Sequence, residues 1–207
     1  MLTDLPNLLT LSRIAAIPLV VALLFVPEDW AAWTAGFFFA AACLTDWFDG
    51  YLARTWAQES LIGRFLDPIA DKLLVAAVLF VLGVTDRLDG LTIFPALVIL
   101  LREVLVSGLR EFLAGVQVSV PVSRLAKWKT AIQMIAIGVL LVGNAGPWFL
   151  APIGRAGLWI AAFLTLVTGW DYMRAGWRHM MADRPAPKAD PKPAATPDVK
   201  GAAQTQA

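Results

Sequence analysis

Six long apolar stretches alternate with short polar or proline- and glycine-rich turns along the 207 residues. The first predicted span runs from about Asn7 to Val26, interrupted by Arg13 and Pro18, and ends at the acidic turn Pro27, Glu28, Asp29. The second runs from about Ala31 to Arg54 and the third from about Arg64 to Val84. Pro68 is expected in the first turn of that third span, where its missing N–H has no partner to lose. TDRLDG over 85–90 leads to a fourth span at about Leu91 to Leu113, and a fifth follows at about Leu125 to Gly143. Asn144, Gly146, Pro147 and Pro152 predict a turn before the last span, about Ile153 to Tyr172. Crossing a bilayer takes about 20 apolar residues. The pattern therefore predicts an all-α fold, an integral membrane bundle of six transmembrane helices forming one domain over 1–182. Residues 183–207, poor in apolar side chains and rich in Pro, Ala and Lys, predict a disordered tail.

Composition agrees with this reading. Hydrophobic residues make up 58% and charged residues only 16%, against about 25% charged in ordinary soluble domains; mean hydropathy is +0.67. Trp30, Trp33, Trp148, Trp170 and Trp177 fall near predicted span ends, which suits either an interfacial belt or ordinary packing. The N-terminal MLTDLPNLLTLSR has neither a charged leader region nor a cleavage pattern after it, so the first span is expected to be retained. Arg54, Arg64, Arg124, Lys127, Lys129, Arg174, Arg178 and the tail lysines fall on one side of a six-span layout, with Arg87 and Arg155 on the other. That asymmetry predicts both termini at the cytoplasmic face.

Cys43 is the only cysteine and His179 the only histidine. An intrachain disulfide, a cysteine metal cluster, histidine triads and His-rich zinc sites are thereby excluded or disfavoured. Metal and acid–base work falls to carboxylates. Four of these stand in DWFDGYLARTWAQESLIGRFLDPIAD, residues 46–71: Asp46 and Asp49 three apart, Asp67 and Asp71 four apart. On helices each pair shares a face, and carboxylates are hard ligands suited to magnesium, calcium or manganese. An aspartate near a membrane helix centre costs about 2.5–3.5 kcal/mol, so four at helical spacing argue against incidental solvation. An ion or proton pathway is the competing reading. A pathway, however, does not need the small residues Gly50, Ala53 and Gly63, nor Arg54, at these offsets. Small residues admit a bulky group close to the backbone and arginine clamps phosphate, which together point to phosphoryl chemistry.

Two further polar groups lie outside that stretch. Asn7, Thr10 and Arg13 recur at three-residue steps, readable as capping and snorkelling or as ligand contacts. On the fourth and fifth spans, Arg102, Arg110, Lys127 and Lys129 gather cations on the predicted cytoplasmic side. Glu103 and Arg110 fall about 20° apart around the helix, with Ser107 close by. Glu103 and Glu111 could balance some of these cations; an anionic ligand could balance the rest.

The pattern D-x2-D-G-x2-A-R-x8-G-x3-D-x3-D, met by Asp46, Asp49, Gly50, Ala53, Arg54, Gly63, Asp67 and Asp71, resembles the signature of the CDP-alcohol phosphotransferase family. LPNLLTLSR, TDWFDGYLAR, GRFLDPIADKLL, LREVLVSGLREFLA and LAKWKTAIQM, spread over about 5–173, resemble its bacterial phosphatidylglycerophosphate synthase branch. The resemblance implies a six-span, dimeric enzyme of the bacterial inner membrane with its active site at the cytoplasmic face. It would transfer a phosphatidyl group from CDP-diacylglycerol to sn-glycerol 3-phosphate and release CMP; inositol phosphate and phosphatidylglycerol are the alternative acceptors. It also implies that Asp46, Asp49 and Asp67 hold two divalent cations, Mg2+ or Mn2+, and that Asp71 completes the shell and serves as general base. Gly50, Ala53, Arg54 and Ser60 would line the nucleotide and diphosphate site, and Pro6 and Asn7 the cytidine. Arg102, Arg110, Lys127 and Lys129 are the expected acceptor-phosphate residues. No nucleic acid partner is expected.

Overall fold

A computed structural model of the chain describes residues 5–56, 61–88, 90–115 and 124–182. Six helices account for nearly all of them: α1 (Leu5–Leu24), α2 (Asp29–Trp56), α3 (Leu61–Val84), α4 (Ile93–Gly115), α5 (Arg124–Val142) and α6 (Leu150–Ala182). Short 3-10 turns, Gly90–Thr92 and Gly143–Ala145, lead into α4 and out of α5. The fold is the expected all-α bundle of membrane helices. Gly90–Gly115, Arg124–Ala145 and Leu150–Arg174 are each long and apolar enough to cross a membrane by length and composition.

The bundle is apolar inside and out, as a solvent of lipid allows. Val20, Phe39, Leu74, Leu82, Ile99, Ile137, Leu140 and Leu158 form the buried core, while Phe37, Phe80, Phe94, Phe112 and Phe163 point outward. The five span-end tryptophans are all exposed, which favours the interfacial belt over core packing. Helix α1 packs on both α2 and α3 and so bridges the two aspartate-bearing helices; α5 and α6 make the most extensive contact. Small residues permit the latter. A Cβ on Gly157 would meet the Ala136 Cβ at 3.0 Å, and one on Gly154 the Leu140 Cγ at 2.8 Å. Such close approach replaces the hydrophobic effect as the source of helix association in lipid.

The turn after α3 is closed by its own backbone. Asp86 takes a left-handed φ of 52°, and the Arg87 and Leu88 N–H groups both donate to the Leu82 carbonyl at 3.1 Å. Arg87 Nη1 then donates to the Leu141 carbonyl at 2.7 Å, placing a cation on the negative end of α5.

Two boundaries differ from the sequence expectation. Helix α3 starts at Leu61, so Pro68 lies seven residues past the start rather than in the first turn. A proline inside a membrane helix removes one backbone bond without ending it, as Pro18 does in α1. Helix α6 starts at Leu150, which puts Pro152 in its first turn instead of in the preceding loop. It also continues past Tyr172 to Ala182. The polar residues after Tyr172 end the apolar run, but arginine, alanine and methionine are good helix formers and carry the helix on. The tail, 183–207, lies outside the described residues.

Candidate active site

A cavity of about 810 Å³ opens among the helices and takes lining residues from all six. Asp71, on α3, presents a carboxylate with 40% of its side chain exposed. It stands ten residues past the start of its helix, about 15 Å along the axis. Arg13 Nη1, from α1, donates to Asp71 Oδ1 at 2.9 Å. Arg13 is only 1% exposed. The snorkelling reading of Arg13 is therefore overturned: its guanidinium turns inward to a carboxylate 58 residues away instead of outward to the interface. Thr10, one turn earlier, is buried as well.

The same cavity carries the four cations expected to meet an acceptor phosphate. Arg102, Arg110, Lys127 and Lys129 all line the cavity, together with Asp71 and Arg13. They are not equivalent. Lys129 is buried and donates to Glu103, an acid that also stands 3.4 Å from Arg102 Nη1. Arg102 is fixed further from α6: its Nη2 donates to Thr168 Oγ1 at 3.2 Å, and its guanidinium lies 5.9 Å over the Tyr172 ring. Gly169 leaves room for this, since a Cβ there would meet Arg102 Cγ at 3.2 Å. Thus Glu103 and α6 hold Arg102 and Lys129 in place, whereas Arg110 and Lys127 are exposed and make no ion pair among the described residues. Glu111 is exposed too and makes no ion pair among the described residues.

Counting the described lining residues, five cations face two carboxylates, Asp71 and Glu103. The cavity carries a positive surplus matched to an anion of more than one charge. The surplus resides in the exposed Arg110 and Lys127, which leaves their charge open to an incoming anion.

Lys72, beside Asp71, donates to Ser107 Oγ and ties α3 to α4. The sequence reading grouped Ser107 with Glu103 and Arg110, and missed Lys72, Thr168 and Tyr172 altogether. A lone lysine after an aspartate in an apolar run was the available signal for Lys72.

Asp46 and Asp49 lie on α2, and Asp67 on α3. The backbone is helical at all four positions, at spacings of three and four residues. The side chains of Asp46, Asp49 and Asp67 lie outside what the structure describes, as do those of Pro6, Asn7, Ala53 and Arg54, while Gly63 belongs to α3. Gly50 belongs to α2, and Ser60 lies wholly outside. Among the described residues no group of three metal-binding side chains gathers, because only Asp71 of the four is described. The donor set itself, hard oxygens from two helices without thiolate or imidazole, fits divalent cations of the magnesium kind.

Comparison with known proteins now adds the family. Residues 3–167 match the sequence profile of the CDP-alcohol phosphatidyltransferases, a family that works with divalent cations. A protein of Rickettsia typhi is 48% identical over 174 residues, covering 83% of this chain and 96% of its own length. One from Pseudomonas fluorescens is 42% identical over 183 residues, covering 87% and 93%. One from Bacillus subtilis is 39% identical over 188 residues, covering 84% and 95%. All three are named CDP-diacylglycerol–glycerol-3-phosphate 3-phosphatidyltransferase. With a profile match across all six helices and such relatives along most of its length, the chain belongs to the CDP-alcohol phosphatidyltransferase family.

Proposed function

We propose that the chain transfers the phosphatidyl group of CDP-diacylglycerol to sn-glycerol 3-phosphate, giving phosphatidylglycerol phosphate and CMP. The observation that carries this reading is the single cavity in which Asp71 faces Arg102, Arg110, Lys127 and Lys129. A hydroxyl-bearing acceptor that is itself an anion answers both halves of that wall. Relatives similar along most of the chain bear the corresponding name.

In this reading the acceptor phosphate is bound by Arg110 and Lys127, with Arg102 and Lys129 pre-set behind them by Glu103 and Thr168. Holding the phosphate there directs the acceptor hydroxyl toward Asp71. Asp71 takes the hydroxyl proton as the new O–P bond forms to the phosphatidyl phosphorus and the O–P bond to CMP breaks. Arg13 keeps the Asp71 carboxylate turned into the cavity. Asp46, Asp49, Asp67 and Asp71 are the residues that would hold two divalent cations, Mg2+ or Mn2+, whose charge when bound offsets that of the diphosphate and the departing CMP. Arg54 adds a clamp on the diphosphate, while Gly50, Ala53, Ser60, Pro6 and Asn7 line the nucleotide. The reading further includes a homodimer in the bacterial cytoplasmic membrane, a catalytic unit over 1–182 and a cytoplasmic tail over 183–207.

The test is CMP release by the purified chain from CDP-diacylglycerol, with glycerol 3-phosphate, inositol phosphate and phosphatidylglycerol offered in turn. Release is expected with glycerol 3-phosphate alone, only with a divalent cation present, and lost in Asp71→Asn while donor binding persists. Release that is equal across the three acceptors, or undiminished in Asp71→Asn, overturns the assignment.

A further inference from the structure

The helices fall into two groups of three. Helix α1 packs along α2 and α3, and α6 along α4 and α5, while contacts between the groups are sparser and run mainly from α2 to α5. The reaction cavity draws on both groups: Asp71 and Arg13 come from the first, and Arg102, Arg110, Lys127 and Lys129 from the second. The proton acceptor and the phosphate-binding cations of the proposed reaction thus stand on different groups, and their separation depends on what joins the groups beside the cavity. Helices α3 and α4 touch only lightly, yet Lys72 Nζ of α3 donates to Ser107 Oγ of α4. Both residues are half-buried, and each follows a residue of the cavity wall, Lys72 after Asp71 and Ser107 after Val106. One step along a helix turns the side chain by about 100°, so Asp71 reaches the cavity and Arg13 while Lys72 reaches α4. Ser107 lies one turn after Glu103 and one turn before Arg110. Its side chain is short, so the long lysine stem supplies the reach.

We propose that the Lys72–Ser107 bond is a strut that fixes the span from Asp71 to the acceptor-phosphate cations, and so selects acceptors by the number of carbons between phosphate and reacting hydroxyl. Lys72 and Ser107 are positioning residues, acting through Asp71 on one helix and Arg110 on the other. The inference rests on the reading of the acceptor as glycerol 3-phosphate, and adds to it how the length of that acceptor is read. Three carbons separate its phosphate from its terminal hydroxyl. With the phosphate held at Arg110 and Lys127, a shift of about 1 Å between α3 and α4 takes the hydroxyl out of line with Asp71 and costs up to about 100-fold in rate.

The strut is tested by measuring kcat/KM for 2-hydroxyethyl, 3-hydroxypropyl and 4-hydroxybutyl phosphate, which place two, three and four carbons in that position. The wild-type chain should favour the three-carbon acceptor. Lys72→Met and, separately, Ser107→Ala should each lower kcat/KM by about 10- to 100-fold for that acceptor and by no more than about threefold for the other two, because a span no longer fixed fits no single length. The double variant should lose no more than either single one, since one bond is removed in all three. Equal losses across the three acceptors, or losses that multiply in the double variant, overturn the strut. Should Lys72→Met fail to fold, Ser107→Ala, which removes a single oxygen atom, carries the same comparison of lengths. A wild-type chain that releases CMP with glycerol 3-phosphate but shows no length preference overturns this inference alone. Absence of CMP release with glycerol 3-phosphate overturns the reading of the site itself, and this inference with it.

Discussion

Arg13 and Asp71 define the site at the level of single side chains. A guanidinium with 1% exposure has given up its water, and the Asp71 carboxylate at 2.9 Å is what it received in return. Such a charge-assisted bond contributes about 1.5–3 kcal/mol. Arg13→Gln should therefore lower kcat by about 10- to 100-fold, with the glycerol 3-phosphate KM nearly unchanged. Arg13→Lys keeps the charge without the planar fork and should recover part of the loss. Equal kcat values in the two variants would mean that Arg13 acts through packing alone. Arg110 presents the opposite case, an exposed cation with no partner among the described residues. Arg110→Ala should raise the glycerol 3-phosphate KM by at least tenfold and leave the donor KM within about twofold, since hydrogen bonds to charged groups are worth about 1.5–3 kcal/mol. Parallel changes in both would remove Arg110 from the acceptor pocket. The sequence distinguished neither role. A lone arginine near a span end satisfies snorkelling as readily as ion pairing, and its partner is 58 residues away on another helix. The cation cluster was legible because four cations stand in two adjoining apolar spans on one side of the layout, but only the fold reveals that Glu103 is shared by Arg102 and Lys129.

At the level of helices, the apolar runs fixed six elements to within a few residues, since hydrocarbon thickness leaves little freedom in span length. The exceptions arise where polarity and helicity part company. Helix α6 outlasts its apolar run by ten residues to Ala182, and α3 passes through Pro68. Packing between helices was not legible, because the glycines that permit it look like any others in sequence. Gly157 and Gly83 make the contrast measurable. A Cβ at Gly157 would press on Ala136 at 3.0 Å, whereas one at Gly83 meets nothing within 4 Å. Gly157→Leu should destabilise the bundle by about 1–3 kcal/mol through overpacking at the α5–α6 contact. Gly83→Ala should be neutral or stabilising by up to about 1 kcal/mol. Thermal unfolding in one detergent checks both, and a Gly157→Leu protein as stable as wild type would show that the contact yields.

The whole molecule has a polarity that the individual helices do not. The starts of α1, α3 and α5 and the ends of α2, α4 and α6 lie at one end of an alternating bundle, and the basic residues Arg124, Lys127, Lys129 and Arg174 belong to that end. At the other end stand Arg87, drawn onto the Leu141 carbonyl, and the acidic Glu28 and Asp29. Burial disfavours the charge on Arg87 and lowers its pKa from the ordinary arginine value. The proposed function requires this basic end on the cytoplasmic side, the side that the retention of basic loops favours, so that the reaction cavity would face the cytoplasm. This orientation is measurable with single cysteines in a Cys43→Ala background. Trp148→Cys, at a position 88% exposed between α5 and α6, should react with an impermeant maleimide on intact cells. Arg124→Cys, exposed at the start of α5, should react only after the membrane is opened. The reverse pattern would place the cavity, and with it the acceptor pocket, on the wrong side for a cytoplasmic phosphate ester.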